Sequence, residues 1–181
     1  MRLSGRLFSA AILLWCGTAL AAEDTDHGVP ATRELRLGSY AAPTPTAVPG
    51  ARTVRTAQLQ TWLKLDAPAR PVLLDVVGGE EHDSIPGAVW LPGAGRGTAF
   101  DDAVQGQLAN VLEVLGGRPS GGGKAFVFFC ASVNCWLSYN AALRAVALGY
   151  TEVYWYRGGI EAWLEAGGDL RPMVRMWRPN T

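Results

Sequence analysis

Pro71-Val72-Leu73-Leu74-Asp75-Val76-Val77, closed by Gly78-Gly79, is the stretch that decides the fold class. Its residues are nearly all apolar and show no polar alternation, so a strand formed here has both faces covered. Such strands belong to parallel sheets with a helical layer on each side. Three further stretches repeat the pattern: Ala88-Val89-Trp90-Leu91-Pro92, Ala125-Phe126-Val127-Phe128-Phe129 and Glu152-Val153-Tyr154-Trp155-Tyr156. The glycine turn Gly121-Gly122-Gly123 launches the second of these. Helical patterns run from Thr56 to Leu65, Asp101 to Leu115, Trp136 to Leu148 and Gly159 to Ala166. The alternation predicts an α/β domain with a mainly parallel central sheet flanked by helices on both faces. The helix from Trp136 is apolar almost all round, with Ser138, Asn140 and Arg144 as polar breaks, and is expected to be heavily buried.

At 181 residues the chain has the length of one ordinary domain. About half of it is apolar (49%) and 18% is charged, a globular rather than a disordered composition. Lys+Arg and Asp+Glu are 16 each. The absence of net charge argues against a nucleic-acid partner, which calls for a basic excess. Three cysteines are too few for a disulfide-stapled miniprotein, and two histidines are few for an imidazole metal centre.

Residues 1–21 read as a signal peptide. Arg2 and Arg6 form a basic start, Leu7 to Trp15 is an apolar run, and Ala19-Leu20-Ala21 offers a small-x-small cleavage pattern. The run is too short for a stable membrane span, and a buried N-terminal helix fits the basic flank poorly. Trp15 before Cys16 is too bulky for lipoprotein processing. Cleavage after Ala21 removes two arginines and Cys16, and predicts an exported, periplasmic protein with no membrane span. Cys130 and Cys135 would then meet a compartment where thiols oxidise.

Residues 22–52 read as an extension. Tyr40-Ala41-Ala42-Pro43-Thr44-Pro45-Thr46-Ala47-Val48-Pro49-Gly50 favours extended chain. It is either a loose linker or an arm laid on the domain; Leu35, Leu37 and Tyr40 favour the arm. The domain proper spans 53–171, with a tail at 172–181 in which Trp177 could mark a contact surface.

Phe129-Cys130-Ala131-Ser132-Val133-Asn134-Cys135-Trp136 carries the chemistry. A strand ends at Cys130 and a helix begins near Cys135, and ligands of open α/β sheets sit at the carboxyl ends of strands. A loop there turns backbone N–H groups inward, and the helix adds its positive end. Asn134 suits an N-cap, which puts Cys135 in the first helical turn, where thiol pKa values fall. The candidate reactive residues are Cys130 and Cys135. Ala131, Ser132, Val133, Asn134 and Trp136 are the candidate substrate-binding residues, with Trp136 as a pocket wall. Two other readings remain open: buried cysteines acting as small hydrophobes, and a disulfide. A bridge across so short a loop gains little entropically, which suits a redox or regulatory role better than a staple.

Elsewhere, Asp75 reads as a structural acid bonded to a nearby loop. His82 follows Glu80-Glu81 and reads as an exposed loop histidine, and His27 lies in the extension. Spacing of the two cysteines and two distant histidines does not match a zinc site, so no metal is expected. Gly121 to Gly123 precedes a strand and lacks a Gly-Lys-Ser/Thr ending, so it is a turn and not a phosphate loop. Trp90, Trp155 and Trp163 fall in core elements.

Several spaced motifs together resemble a rhodanese domain from about Val54 to Leu170. They are Val72-Leu73-Leu74-Asp75-Val76, Ile85-Pro86-Gly87-Ala88, the strand into Cys130, and Gly149-Tyr150, Val153-Tyr154 and Gly158-Gly159-Ile160-Glu161-Ala162-Trp163. Cys135-Trp136-Leu137-Ser138-Tyr139-Asn140-Ala141-Ala142 and Tyr40-Ala41-Ala42-Pro43-Thr44-Pro45 also resemble an exported rhodanese-like subfamily. That subfamily is named for a CXXCW motif and is associated with pyrroloquinoline-quinone-dependent catabolism of alcohols. Here the cysteine spacing is wider than the name.

The resemblance implies that Cys130 accepts a sulfane sulfur as a persulfide and that Ala131 to Cys135 cradles it. Sulfurtransferase loops of the family usually carry arginine directly after the cysteine and at the fifth position. This chain has Ala131 and Cys135 there, and Val77 where the strand motif usually continues with arginine. Without those guanidinium groups, weak thiosulfate turnover is expected. Cys135 could instead resolve Cys130 into an intramolecular disulfide. Two functions follow as expectations. The first is sulfur transfer or thiol redox chemistry with a small sulfur donor or thiol acceptor. The second is a non-catalytic accessory module, its cysteines bonded, for a periplasmic quinoprotein or cytochrome of an alcohol-oxidising system. No residue calls for a cofactor.

Overall fold

The computed structural model describes residues 22–67 and 69–176. The signal-peptide reading of 1–21 and Trp177 lie outside the described residues. In chain order the strands are β1 (Arg52–Val54), β2 (Val72–Asp75), β3 (Asp83–Ser84), β4 (Val89–Trp90), β5 (Phe126–Phe129), β6 (Val153–Tyr156) and β7 (Arg171–Pro172). The helices are α1 (Thr56–Trp62), α2 (Ala103–Val114), α3 (Trp136–Ala147) and α4 (Gly159–Glu165). Five strands form one sheet in the order β1-β6-β5-β2-β4, and every neighbouring pair in it is parallel. β3 and β7 make a separate antiparallel pair. The α/β architecture expected from the apolar runs is thus present.

Alternate residues of the strands feed two cores. Leu74, Phe126, Phe128, Val153 and Trp155 face α2 and α3, joining Leu108, Leu112 and Tyr139. Leu73, Val127, Phe129 and Tyr156 face the other way, joining Leu59 of α1 and Ala162 and Trp163 of α4. β5 lies in the middle of the sheet, and all four of its side chains are fully buried. Each contributes about 1.5–3 kcal/mol by leaving water. The register sets Asp75, Phe129 and Tyr156 abreast at the strands' C-terminal ends. Cys130 therefore emerges at the centre of that edge.

The helix α3 is as buried as its composition implies, and its polar breaks are buried with it. Ser138 Oγ accepts from Trp155 Nε1 at 3.0 Å. Asn140 Nδ2 donates to Gly95 O and to Arg36 O, both at 2.9 Å. Arg144 donates to Ala99 O, Arg96 O, Gln105 Oε1 and both oxygens of Asp102. They act as docking points for neighbouring chain, because a buried polar group without a partner is costly. Asp102 also caps α2, accepting from Gln105 N at 2.9 Å. At Gly95 the chain crosses α3 so closely that a Cβ would sit 1.9 Å from Leu137 O.

Residues 22–51 are an arm laid on the domain. Thr44 and Val48 are buried in it, Leu35 and Tyr40 pack against the core, and Leu37 stays exposed. Arg36 N donates to Asn140 Oδ1 at 3.0 Å. At the start of the arm, Glu23 reaches across to α1 and accepts from Thr56 N and Thr56 Oγ1. It supplies the cap that Arg55 does not provide.

Candidate functional site: the thiol loop and its cover

β5 delivers Cys130 into the edge of the core, where the residue is only 3% exposed. Five residues on, Cys135 is partly exposed and opens α3. Their Cα atoms are 6.1 Å apart and their sulfurs are bonded. Of the readings left open by the sequence, the disulfide is the one present. A backbone that curls from a strand end into a helix start brings the two Cα atoms within bridging range.

Two expectations about the helix start need correction. Asn134 does not cap α3: its side chain is exposed, and its N–H donates to Ser132 Oγ at 3.2 Å. Cys135 itself, with φ −122° and ψ 106°, occupies the cap position, so it lies one residue before the first turn. The cause is the cross-link to Cys130 together with the bond from Cys135 N to Ser132 O at 3.2 Å. These hold residue 135 in extended geometry.

The loop is gripped from two sides. On one, the start of α4 donates Ile160 N to Cys130 O at 3.1 Å and Glu161 N to Ala131 O at 2.9 Å. This approach requires Gly159, whose φ is +61° and whose Cβ, if present, would lie 2.3 Å from Cys130 O. On the other side lies the arm. Ala42 N donates to Asn134 O at 2.9 Å, and Thr44 donates to Val133 O from both N (3.1 Å) and Oγ1 (2.6 Å). Ala41 forms an antiparallel bridge with Cys135. Trp136 N donates to Tyr40 O at 2.9 Å, which meets one of the helix's unpaired first amides with arm backbone.

The remaining candidates fall as follows. Ala131 is exposed, Ser132 partly so, and Val133 is buried. Trp136 is 3% exposed, so it is a wall of the core under the arm rather than of an open pocket. Its indole N–H donates to Pro43 O at 3.0 Å, and the Arg36 guanidinium lies 4.8 Å above its ring. Clefts of about 550 and 320 Å³ do exist. The first lies among Glu113, Arg118 and Tyr150, before the strands' N-terminal ends, and the second among Asp24, Arg55 and Gln58. Neither is lined by Cys130 or Cys135. Among the described residues no group of three or more His, Cys, Asp or Glu side chains is placed to hold a metal ion.

Sequence reading missed Thr44 and Arg157. Arg157 follows β6 and is 2% exposed. It donates to Thr44 Oγ1 (3.1 Å), Thr44 O (3.0 Å), Glu23 O (2.8 Å) and Thr25 O (2.8 Å). Burial lowers its pKa, and Asp26 and Asp24 work in the opposite direction. A charged residue between a buried strand and Gly158-Gly159 is the one signal that pointed to it; Thr44, among prolines, gave none.

His82 also differs from expectation. Its side chain is 14% exposed, not free in a loop, with Nε2 2.7 Å from Asp75 Oδ2 and its ring 5.5 Å from that of Trp90. Buried Asp75 also accepts from Val77 N at 2.8 Å and from Ser84 Oγ. That set of bonds draws the histidine inward, because a buried carboxylate needs every donor within reach. Asp75 is a structural acid that ties the loop after β2 to the sheet.

The family model of the rhodanese-like domain matches residues 49–166, which include both cysteines and all four helices. The chain belongs to the rhodanese-like domain family. Among solved structures it is similar to thiosulfate sulfurtransferase from Pseudomonas aeruginosa, with TM-score 0.47 and 22% identity over 69% of this chain and 21% of that one. It is also similar to a Rhodopseudomonas palustris protein of unknown function described as a possible tyrosine phosphatase, with TM-score 0.44 and 23% identity over 68% and 86%. Human single domain sulfurtransferase gives TM-score 0.38 and 26% identity over 64% and 96%. No curated protein matches the chain. Tyr40 to Thr44 precede the matched residues, so the cover on this rhodanese-like domain comes from outside the part that carries the family signature.

Proposed function

We propose that the chain is an exported rhodanese-type sulfurtransferase in which Cys130 takes up a sulfane sulfur and Cys135 resolves it. The observation that carries the reading is the bond between Cys130 and Cys135 across the loop at the carboxyl edge of the sheet. With thiosulfate as donor, the Cys130 thiolate attacks the outer sulfur, sulfite leaves, and Cys130 becomes a persulfide. The Cys135 thiolate then attacks the Cys130 sulfur, hydrosulfide leaves, and the disulfide forms. Two thiols have lost two electrons and the sulfane sulfur has gained them. The loop contributes no arginine, and the amides of Asn134, Cys135 and Trp136 are bonded to Ser132 and Tyr40, so orientation of a dianion falls to the remaining loop N–H groups and the dipole of α3. Donors of lower charge, such as organic trisulfides, suit it better than thiosulfate.

A second reading, an accessory module with a permanent disulfide serving a quinoprotein alcohol-oxidation system, draws support from one observation: Cys130 lies almost wholly buried. Its motif-level support is the Cys135-Trp136 pair and the arm sequence. Intact mass of reduced protein after incubation with polysulfide separates the two. Gain of sulfur that requires Cys130 and persists in Cys135→Ser supports transfer. Failure of any sulfur to add in Cys135→Ser leaves the accessory reading ahead.

A further inference from the structure

All the hydrogen bonds between Tyr40–Thr44 and the thiol loop land on a short stretch. Val133 O and Asn134 O lie inside the ring closed by the disulfide, and Trp136, which donates from N to Tyr40 O and from Nε1 to Pro43 O, is one residue past it. The acceptors that hold the arm are therefore the atoms whose positions the cross-link fixes. In turn, Thr44 is held by Arg157, all of whose bonds go to the arm and none to the loop. We propose that residues 40–44 are a redox-linked cover, closed over the thiol loop when Cys130 and Cys135 are bonded and released when they are reduced. Arg157, acting through Thr44, is the positioning residue that latches it.

The proposal rests on reading the two cysteines as a pair that cycles. Cys130 is 3% exposed with the cover shut, so a sulfur donor reaches it only when part of its surroundings moves, and the strap is the neighbouring segment whose anchors the cross-link fixes. Reduction removes the only covalent tie across the loop, and the carbonyls of Val133 and Asn134 become free to turn away. Coupling of this kind is reciprocal. Whatever factor the disulfide contributes to closure, closure contributes to the disulfide. A weakened latch must therefore make the pair easier to reduce.

Hydrogen exchange on the full chain, oxidised and after reduction by dithiothreitol, tests the cover. Dithiothreitol closes to its own cyclic disulfide as Cys130 and Cys135 become thiols. The amides of Ala42, Thr44 and Trp136 should exchange at least tenfold faster in the reduced protein, while those of β5 keep their protection. Titration in dithiothreitol buffers then tests the latch. Thr44→Val, which loses the hydroxyl bonded to Val133 and Arg157, should favour reduction about threefold, or roughly 15 mV for two electrons. Thr44→Ser, which keeps the hydroxyl, should match the parent. The exchange comparison uses unaltered protein, so it stands even if a variant fails to fold. Equal exchange in both states of a pair that cycles overturns the cover alone. An unshifted Thr44→Val midpoint overturns the latch. A pair that cannot be reduced in the folded domain overturns the cover and the redox reading together.

Discussion

Thr32 and Tyr139 bond each other in both directions: Thr32 N donates to Tyr139 Oη at 2.8 Å, and Oη donates to Thr32 O at 2.7 Å. Tyr139 is fully buried within α3. Burial raises its pKa, against the lowering effect of the Thr32 bond, so the hydroxyl keeps the proton it donates. Asn140, the next residue, makes the same two-way exchange with the backbone of Arg36. Over residues 32–36 the arm is thus addressed to the domain by side chains of one buried helix that read backbone polarity, in addition to the apolar packing of Leu35 and Tyr40. Such docking fixes register, because displacing the arm by one residue breaks every bond of the set.

Replacing Tyr139 with Phe removes both bonds and leaves Thr32 N–H and C=O facing an aromatic edge. The expected loss is about 1–3 kcal/mol, with the lower end favoured because Thr32 is only partly buried and water can reach it. Denaturant midpoints measure the loss. Proteolysis should become faster in residues 32–40 and not in the sheet; faster cleavage throughout would mean that Tyr139 supports the core and has no specific hold on the arm.

Asp102 supplies a pH-dependent part of the stability. Burial opposes its ionisation, but the Arg144 guanidinium and the amides of Gln105, Ala99 and Thr98 outweigh it and hold the carboxyl well below its usual range. A carboxylate depressed in the folded state stabilises above its unfolded value of about 4, and that contribution is lost as pH falls through the folded value. Asp102→Asn leaves the fully buried Arg144 without its counter-charge and should cost about 3 kcal/mol at pH 7. The gap between parent and variant should narrow below about pH 4. A gap of constant size down to pH 3 would show that the carboxylate charge is not what matters.

The central strands were legible because burial on both faces leaves a continuous apolar run, as in Val72–Asp75 and Phe126–Phe129. β1 escaped notice because an edge strand of three residues, two of them exposed, carries no such run. The β3–β7 pair is two residues long and was equally silent. The position of the thiol loop followed from the strand–loop–helix order. Its cover did not, because the arm's partners are backbone atoms: Tyr40 O, Pro43 O and the amides of Ala42 and Thr44 belong to any sequence. Asn140 and Arg144 were legible as polar breaks in a buried helix, but their bonds to Arg36, Gly95 and Asp102 were not, since a sequence does not reveal which partners a polar side chain has found.

Cys135→Ser should trap what the parent passes on. On the proposed function, attack by Cys135 in the parent should convert a Cys130 persulfide into the disulfide and release hydrosulfide. The variant should retain one added sulfur on Cys130 and release none until a thiol is supplied. Stability should fall by no more than about 2 kcal/mol, because the ring that the disulfide closes is short. Mass spectrometry and sulfide detection on the same samples check this. Prompt sulfide release by the variant would assign resolution to some other group.

Ala131 is exposed beside the loop, where an added guanidinium meets no packed neighbour. Ala131→Arg should improve turnover of thiosulfate, a dianion, more than that of an uncharged donor. An exposed charge pair is worth about 0.5–1 kcal/mol, which corresponds to a two- to fivefold rise in kcat/KM. Steady-state rates at two salt concentrations test the origin of the gain, which should shrink at high salt. A rise shared equally by charged and uncharged donors would trace the effect to loop conformation.

Gly159 sets how closely α4 can grip the loop. Its φ of +61° disfavours a side chain, and an added Cβ would come within 2.3 Å of Cys130 O and 2.9 Å of Ser132 N. Alanine at this position therefore brings backbone strain of about 1–3 kcal/mol together with a collision that only a shift of the loop relieves. Because Ile160 N and Glu161 N hold the carbonyls of Cys130 and Ala131, that shift moves the backbone of residue 130 relative to that of residue 135. Gly159→Ala should thus lower stability and also change the Cys130–Cys135 reduction midpoint. Gly167→Ala, at φ +78° but with open space around it, should lower stability without touching the midpoint. Equal midpoints in the two variants would mean that the α4 grip positions the fold and not the thiol pair.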